Sequence, residues 1–193
     1  MNDGNHLSWD THEQKIVYNG PIFDVVEVNR SSHDGRKGSF VALDAPEWVT
    51  VIPWYRNSDG VAYFKMVRQY RHGSEQVTIE FPAGTVDKGE DVKVAGKREL
   101  IEETGCVPSS DMILLGSISP NPAFMNNRVW FYLAQELECV KEQHLDDNEQ
   151  VDILDIPVKE VLTQMGHGEY DNGIMMIAQG FFLRYAQEHG GLL

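Results

Sequence analysis

Hydrophobic and polar positions alternate along the first half of the chain and predict a series of short strands. Apolar, β-branched stretches are separated by turn sequences such as Asn19-Gly20-Pro21, His33-Asp34-Gly35 and Asn57-Ser58-Asp59-Gly60. Short Asn-, Asp- and Gly-rich segments of this kind join neighbouring antiparallel strands. Strands are predicted at residues 15–18, 22–29, 39–43, 48–55, 61–69 and 76–81.

The second half mixes helical spacing with further strands. A charged helix is predicted from about Asp91 to Thr104, because Gly105 suits the left-handed position that ends a helix. Further strands are predicted at 112–119, 128–135 and 151–156, and helices at 158–165 and 173–188. The last helix is predicted to bury one stripe of apolar residues, Ile174, Ile177, Ala178, Phe181 and Tyr185. This order of elements predicts an α+β layered domain.

The same pattern predicts how the chain is divided. Residues 1–12 are polar and are expected to form a flexible tail, followed by an N-terminal β subdomain over residues 13–47. The main domain is expected to span residues 48–193, which is long enough to bury a substantial core. No internal repeat or low-complexity linker interrupts it.

The amino-acid composition argues against some classes of binding partner. The net charge of −14, from 16 basic and 30 acidic residues, argues against broad binding of nucleic acid or anionic membranes. The sequence contains neither a long apolar run nor a start typical of a signal peptide. Cys106 and Cys139 lack metal-ligand spacing, so a reduced, cytoplasmic protein is the simplest expectation, with a single disulfide left open.

Three glutamates are concentrated on one face of the charged helix. Glu99, Glu102 and Glu103 share an arc of about 100°, because successive helical residues are rotated by about that angle. Arg98 can neutralise part of this charge but not all of it. Clustered carboxylates suit Mg²⁺ or Mn²⁺. The alternative is a solvated acidic helix face, which three glutamates by themselves would equally permit.

The full spacing of this segment resembles the Nudix box, G-x5-E-x7-R-E-U-x-E-E-x-G-U, where U is a bulky aliphatic residue. Eight of its nine positions are matched, by Gly84, Glu90, Arg98, Glu99, Leu100, Glu102, Glu103 and Gly105. Cys106 replaces the last aliphatic residue and is expected to pack as a small hydrophobe. Gly96 stands where a helix-favouring alanine would be expected, and it could let the helix approach a strand.

The resemblance implies a fold, a chemistry and a set of roles. The implied fold is an α/β/α sandwich with a mixed sheet, preceded by antiparallel strands. Water would attack a phosphorus of a nucleoside diphosphate linked to another group, with Mg²⁺ as cofactor and Mn²⁺ as the alternative. The implied metal ligands are the Ala83 carbonyl, Glu99, Glu102 and Glu103. Glu90, Arg98, Gly84 and Gly105 would support them structurally.

Flanking residues resemble the branch of ADP-ribose pyrophosphatases. The segments Val67–Arg71 and Glu80–Gly84 carry this likeness. It implies that the N-terminal strands pair across a homodimer, that Arg71 and Glu80 contact the substrate, and that Phe23 stacks on adenine. The alternatives are a surface arginine, a solvent-exposed strand end and a core phenylalanine, respectively.

Two questions stay open in the sequence. Glu149 matches a general base on a loop after the box, and the competing base is Glu102 or Glu103. Residues 123–127 depart from the pattern of many ADP-ribose enzymes, so GDP-mannose or another nucleoside diphosphate sugar is an alternative substrate. A Nudix-fold module that binds a nucleotide sugar without cleaving it is a further alternative. The intact set of glutamates favours an enzyme.

Overall fold

The chain forms two compact units. The computed structural model describes residues 4–140, 142–145 and 149–193. One unit comprises Met1–Pro46 with Ser119–Arg128, and the other comprises Glu47–Ile118 with Val129–Leu193. The sequence pattern did not indicate that Ser119–Arg128 belongs to the first unit.

The first unit contains an antiparallel sheet of three sequential strands. Its strands are β1 (Trp9–Asn19), β2 (Asp24–Ser32) and β3 (Lys37–Asp44), in the order β1-β2-β3. Alternation along β2 buries Val26 and Val28, while β1 is exposed along nearly its whole length. Strand β1 begins at Trp9, inside the segment predicted as a tail, and is preceded by a short 3-10 turn at Asn5–Leu7.

The second unit is built on a mixed sheet of seven strands. These are β4 (Trp48–Arg56), β5 (Ala62–Arg71), β6 (Gln76–Glu80), β7 (Ala83–Thr85), β9 (Ile113–Ile118), β10 (Val129–Ala134) and β12 (Val151–Pro157). The main path is β12-β5-β4-β10-β9, with β6 on β5 and β7 on β4. Strand β10 runs parallel to β4, and the other pairs are antiparallel. Two short strands, β8 (Cys106–Pro108) and β11 (Leu137–Cys139), pair separately.

Both faces of the central strands are covered, which explains their almost continuous apolar sequences. On one face, side chains of β4 and β10 such as Val51 and Tyr132 pack with the core of α1 (Val92–Thr104). On the other face, Ile52 and Phe131 pack with α2 (Val158–Gln164) and α3 (Gly173–His189). The result is an α/β/α arrangement of layers in this unit.

The predicted stripe on α3 is displaced around the helix. The fully buried residues are Met175, Ala178, Phe182 and Ala186. Of the predicted stripe, only Ala178 is among them, and its other four members pack at the partly buried margin. The centre of the predicted stripe was therefore wrong, because helical spacing alone does not determine which part of an apolar face packs against the sheet.

The two cysteines also differ from the simplest expectation. Cys106 and Cys139 form a disulfide, at positions that face each other directly in the β8–β11 pair. Residues 33 positions apart in sequence are thus brought together by a pairing that the sequence does not reveal.

No helix within the described residues combines the length and apolarity needed to cross a membrane.

Candidate active site

Helix α1 is placed by signals at both of its ends. The Asp91 side chain accepts hydrogen bonds from the N–H groups of Lys93 and Val94, which caps the first turn. Gly105 adopts the left-handed conformation, with φ of 66°, and its N–H bonds to the Ile101 carbonyl. The predicted helix and its end are confirmed, and these caps delimit the helix that carries the glutamates.

Two glycines allow close contacts of α1 with the sheet. A Cβ on Gly84 would lie 2.2 Å from the Glu99 carboxyl carbon, and a Cβ on Gly96 would lie 2.9 Å from a Val49 methyl group. The Gly84 backbone pairs with Val49 in the β7–β4 ladder and needs no positive φ. A side chain at position 84 would therefore displace the Glu99 carboxylate, which lies where the Cβ would be. Gly96 lets the helix approach β4, as the sequence suggested.

Arg98 connects three carboxylates. Its Nε and Nη2 donate to the two oxygens of Glu90 at 3.1 and 3.0 Å. Its Nη1 donates to Glu99 at 2.7 Å and to Glu102 at 3.1 Å, and Nη2 also reaches the Thr85 carbonyl at 3.0 Å. Hydrogen bonding from Arg98 lowers the pKa of Glu90. The arginine thus ties the loop before the helix to the helix itself, as a bidentate guanidinium can.

Nearby positive groups only partly stabilise the ionised forms of Glu99 and Glu103. Burial raises the pKa of Glu99 to about 7, against the opposing attraction of Arg98. Glu103 is only 4% exposed, and burial followed by repulsion from Glu99 raises its pKa well above the ordinary value. One oxygen of Glu103 accepts the Ala83 N–H at 3.1 Å. Two desolvated carboxyl groups therefore lie side by side, and ionising both of them is unfavourable without a further cation.

The donor chemistry of this cluster fits a hard divalent cation. Glu99, Glu102 and Glu103 supply carboxylate oxygens beside the Ala83 backbone, and Mg²⁺ takes one or two carboxylates together with water and phosphate oxygens. Among the described residues, no three acidic, histidine or cysteine side chains converge as a complete metal cage. The Arg98 guanidinium holds the carboxylates of Glu99 and Glu102. The cluster fits an ion held partly by the substrate's own oxygens.

Arg71 and Glu80 form a second charged cluster on β5 and β6. The guanidinium Nε and Nη2 donate to the two Glu80 oxygens at 2.9 and 2.6 Å. Glu80 is fully buried and also accepts from the Thr78 hydroxyl at 2.5 Å. Burial acts to raise the pKa of Glu80, but the hydrogen bonds from Arg71, Thr78 and Asn172 outweigh it and lower the pKa. Glu80 is therefore not an exposed strand end, and it holds Arg71 in place.

Glu149 is close enough to both clusters for its charge to affect the pKa values of their members. The charge of Glu149 acts on Arg71, Glu99 and Glu103, although the Glu149 side chain is itself exposed. Residues 146–148 of the predicted acidic loop lie outside the described residues. Phe23 belongs to the first unit, just before β2, and is 37% exposed, so it is not a core residue.

Some contacts at the site escaped the sequence analysis. Thr78 could have been found, since strand alternation places it on the same face as Glu80. Asn172 was identifiable as the cap of α3, where its side chain accepts from the Ile174 N–H, but its bond to Glu80 depends on the fold. The roles of the predicted site residues in substrate binding and catalysis stay predictions.

A family model and several known proteins match this chain in sequence. A family model of the NUDIX domain matches residues 46–174. The methanol dehydrogenase activator of Bacillus methanolicus is 34% identical over 126 residues, covering 64% of this chain and 68% of that protein. The ADP-ribose pyrophosphatase of Bacillus subtilis (strain 168) is 33% identical over 157 residues, covering 81% of this chain and 82% of that protein.

A solved structure supports the fold over nearly the whole chain. The crystal structure of ADP compounds hydrolase superposes with a TM-score of 0.80, covering 95% of this chain and 97% of that one, at 19% sequence identity. At that identity the similarity concerns the fold. It confirms the predicted class, an α+β protein with a mixed sheet between helices and with antiparallel N-terminal strands.

Proposed function

The chain belongs to the Nudix family of hydrolases, and we propose that it cleaves the diphosphate of a nucleoside diphosphate sugar. ADP-ribose is the favoured substrate, with AMP and ribose 5-phosphate as products. The relative from Bacillus subtilis is an ADP-ribose pyrophosphatase, which supports this choice. So do the segments around Arg71 and Glu80, which resemble that branch of the family.

The observation that carries the proposal is the uncompensated charge on α1. Glu103 is buried and Glu99 is partly buried, and within the described part of the chain the box glutamates form their ion pairs with Arg98 alone. A buried excess of carboxylate is unfavourable unless a cation joins it. This arrangement favours a divalent cation over a purely structural acidic helix.

Mg²⁺ is the proposed cofactor, with Mn²⁺ as the alternative, and Glu99, Glu102, Glu103 and the Ala83 carbonyl are the proposed ligands. When bound, the ion would lower the pKa of water and neutralise the diphosphate. The chain contributes the geometry: Gly84 leaves room for the Glu99 carboxylate, and Arg98 holds the helix against the preceding loop.

Arg71 is the proposed contact for a phosphate oxygen. Its pair with Glu80 uses Nε and Nη2, so Nη1 takes no part in that pair. Glu80 orients the guanidinium and fixes its charge, since hydrogen bonding to Glu80 raises the pKa of Arg71 against the opposing effect of burial. The role of Glu80 is then to position Arg71. Phe23 remains the proposed platform for the adenine ring.

Glu149 is the proposed general base. Water attacks one phosphorus, its proton passes to the Glu149 carboxylate, and the bridging P–O bond breaks to release the nucleoside monophosphate and the sugar phosphate. The electrostatic effect of Glu149 on Glu99 and Glu103 supports its presence near the reacting centre. The alternative base is Glu102 or Glu103.

The test is hydrolysis of a panel of nucleoside diphosphate sugars with Mg²⁺ or Mn²⁺, followed by phosphatase-coupled release of phosphate. We expect ADP-ribose to give the highest kcat/KM, and Glu149→Gln to lower kcat. Higher kcat/KM on GDP-mannose would select the alternative substrate, which the departure at residues 123–127 leaves open. Binding of these sugars without any product would select the non-catalytic module. Unchanged kcat in Glu149→Gln would assign the base to the box.

We also propose a homodimer formed through the N-terminal strands, and a cytoplasmic protein. The exposed apolar side chains of the first unit support the dimer, among them Ile16, Tyr18 and Val41. Light scattering should give about twice the monomer mass of 21.9 kDa. A particle of monomer mass at micromolar concentration would contradict the dimer.

A further inference from the structure

The C-terminal end of α1 is satisfied by a segment that lies far along the chain. The last carbonyl groups of a helix have no partner within the helix and need donors from elsewhere. Here the Glu102 carbonyl accepts the His144 N–H at 2.9 Å, and the Glu103 carbonyl accepts the Gln143 side-chain amide at 2.6 Å. Next to them, the Gly105 carbonyl accepts the Val140 N–H at 3.3 Å.

Gln143 makes a second contact, with the first residue of β12. Its Nε2 also donates to the Val151 carbonyl at 3.2 Å, at the first residue of β12. A primary amide carries two N–H donors, so one nitrogen can serve both carbonyls. The amide therefore bridges the backbone of Glu103 and the backbone of Val151, two residues beyond Glu149.

We propose that Gln143 is a positioning residue that sets where Glu149 stands relative to the carboxylates of α1. This inference rests on the proposed function, in which Glu149 is the base. Residues on both sides of Gln143 are anchored. Cys139 forms the disulfide with Cys106, and β12 pairs with β5 from Val151 onward. Gln143 lies between these anchors, and its side chain joins the start of β12 to the helix of the proposed metal ligands.

The chemistry of the bridge restricts which residues can replace Gln143. Glutamate has the same shape but no N–H, so it would place a carboxylate against two carbonyl oxygens. Methionine has similar length and no donor. Asparagine keeps both donors but is one methylene shorter, so it should restore part of what methionine loses.

Hydrogen exchange tests the bridge without depending on activity. In Gln143→Met, amide exchange in peptides covering residues 142–145 should rise at least roughly 10-fold, since the His144 N–H bond to Glu102 loses its support. Peptides from β4 should be unchanged. Gln187→Met, at an exposed position near the end of α3, is the matched control. Unchanged exchange in residues 142–145 would overturn the proposal, whatever the activity of the protein.

A double-mutant cycle tests the consequence for catalysis. Gln143→Met should lower kcat by roughly 10- to 100-fold with little change in KM, and Gln143→Asn should recover part of it. Added to Glu149→Gln, it should lower kcat no further, since the base it positions is already gone. Equal losses in both backgrounds would overturn the proposal in favour of a general role in capping α1. If Glu149→Gln alone leaves kcat unchanged, the base assignment of the proposed function is wrong, and the exchange result still decides whether the bridge exists.

Discussion

Two arginine–carboxylate clusters in the second unit differ in their balance of charge. The paired cluster, Arg71 with Glu80, joins one guanidinium to one fully buried carboxylate through two hydrogen bonds. The box cluster joins Arg98 to Glu90, Glu99 and Glu102, with Glu103 buried beside them.

The difference shows in the pKa values of the buried acids. Hydrogen bonds from Arg71 lower the pKa of Glu80 in spite of its burial, whereas burial raises the pKa of Glu99 and Glu103. Arg98 is shared among several acids and cannot offset the desolvation of each one. A balanced pair positions a side chain, and an unbalanced group attracts a further cation.

The largest expected effect comes from Glu103→Gln in the box cluster. Removing a proposed metal ligand should lower kcat by more than roughly 100-fold, the upper range for residues that merely support ligands. The fold should survive, because glutamine can still accept the Ala83 N–H and no longer carries a buried charge. Steady-state kinetics and thermal unfolding measure the two effects. Glu188→Gln, exposed on α3, is the control, and a Glu103 variant with at least half of the normal kcat would contradict the ligand role.

Arg71→Ala breaks the paired cluster and should reduce stability. It leaves the Glu80 carboxylate buried without its partner, which costs about 3 kcal/mol of unfolding free energy. Denaturant unfolding measures this cost. Arg68→Ala is the control, because the Arg68–Asp152 pair is exposed and should contribute far less to stability. Equal losses in the two variants would show that burial of Glu80 does not matter.

Gly84→Ala tests the steric role of Gly84 in the box cluster without changing any charge. The new Cβ would overlap the Glu99 carboxylate, so that side chain must move and kcat should fall by roughly 10- to 100-fold. Gly73→Ala adds the same methyl group where no atom lies within 4 Å and should leave kcat unchanged. A Gly84 variant with normal kcat would show that the observed position of Glu99 is not needed.

The smallest expected effect is the pH dependence of the metal-free protein. The folded-state pKa of Glu99 is raised from 4.5 to about 7, so the stability associated with its protonated form is lost as pH rises through about 7. Between about pH 5.5 and pH 8 the loss should be about 2 kcal/mol. Thermal unfolding with a chelator measures it, and Glu99→Gln should flatten the curve.

Added Mg²⁺ should change how the stability of the protein depends on pH. Carboxylates must be deprotonated to bind a metal, so Mg²⁺ should raise the unfolding temperature more at about pH 8 than at about pH 5.5. A metal-free protein that is more stable at about pH 8 than at about pH 5.5 would contradict the charge excess in the box cluster.

Local sequence determined much of this protein. Caps at Asp91 and Gly105 delimit α1, turn residues such as Gly60 delimit the hairpins, and helical geometry alone places Glu99 near Glu103. The box spacing identified the family, because its residues lie within a single loop and helix. These features depend on neighbours a few residues apart, which is the range over which a sequence can be interpreted directly.

Tertiary structure decided the features that join distant segments. The burial of Glu80, its bond to Asn172, the Cys106–Cys139 pair and the bridge made by Gln143 each depend on strand register and helix packing. The same is true of the close contact at Gly84, where a Cβ would overlap the Glu99 carboxylate. Local pattern determines which side chains share a helix face. Only packing determines which of them lose water, and that loss creates the excess charge of the box cluster.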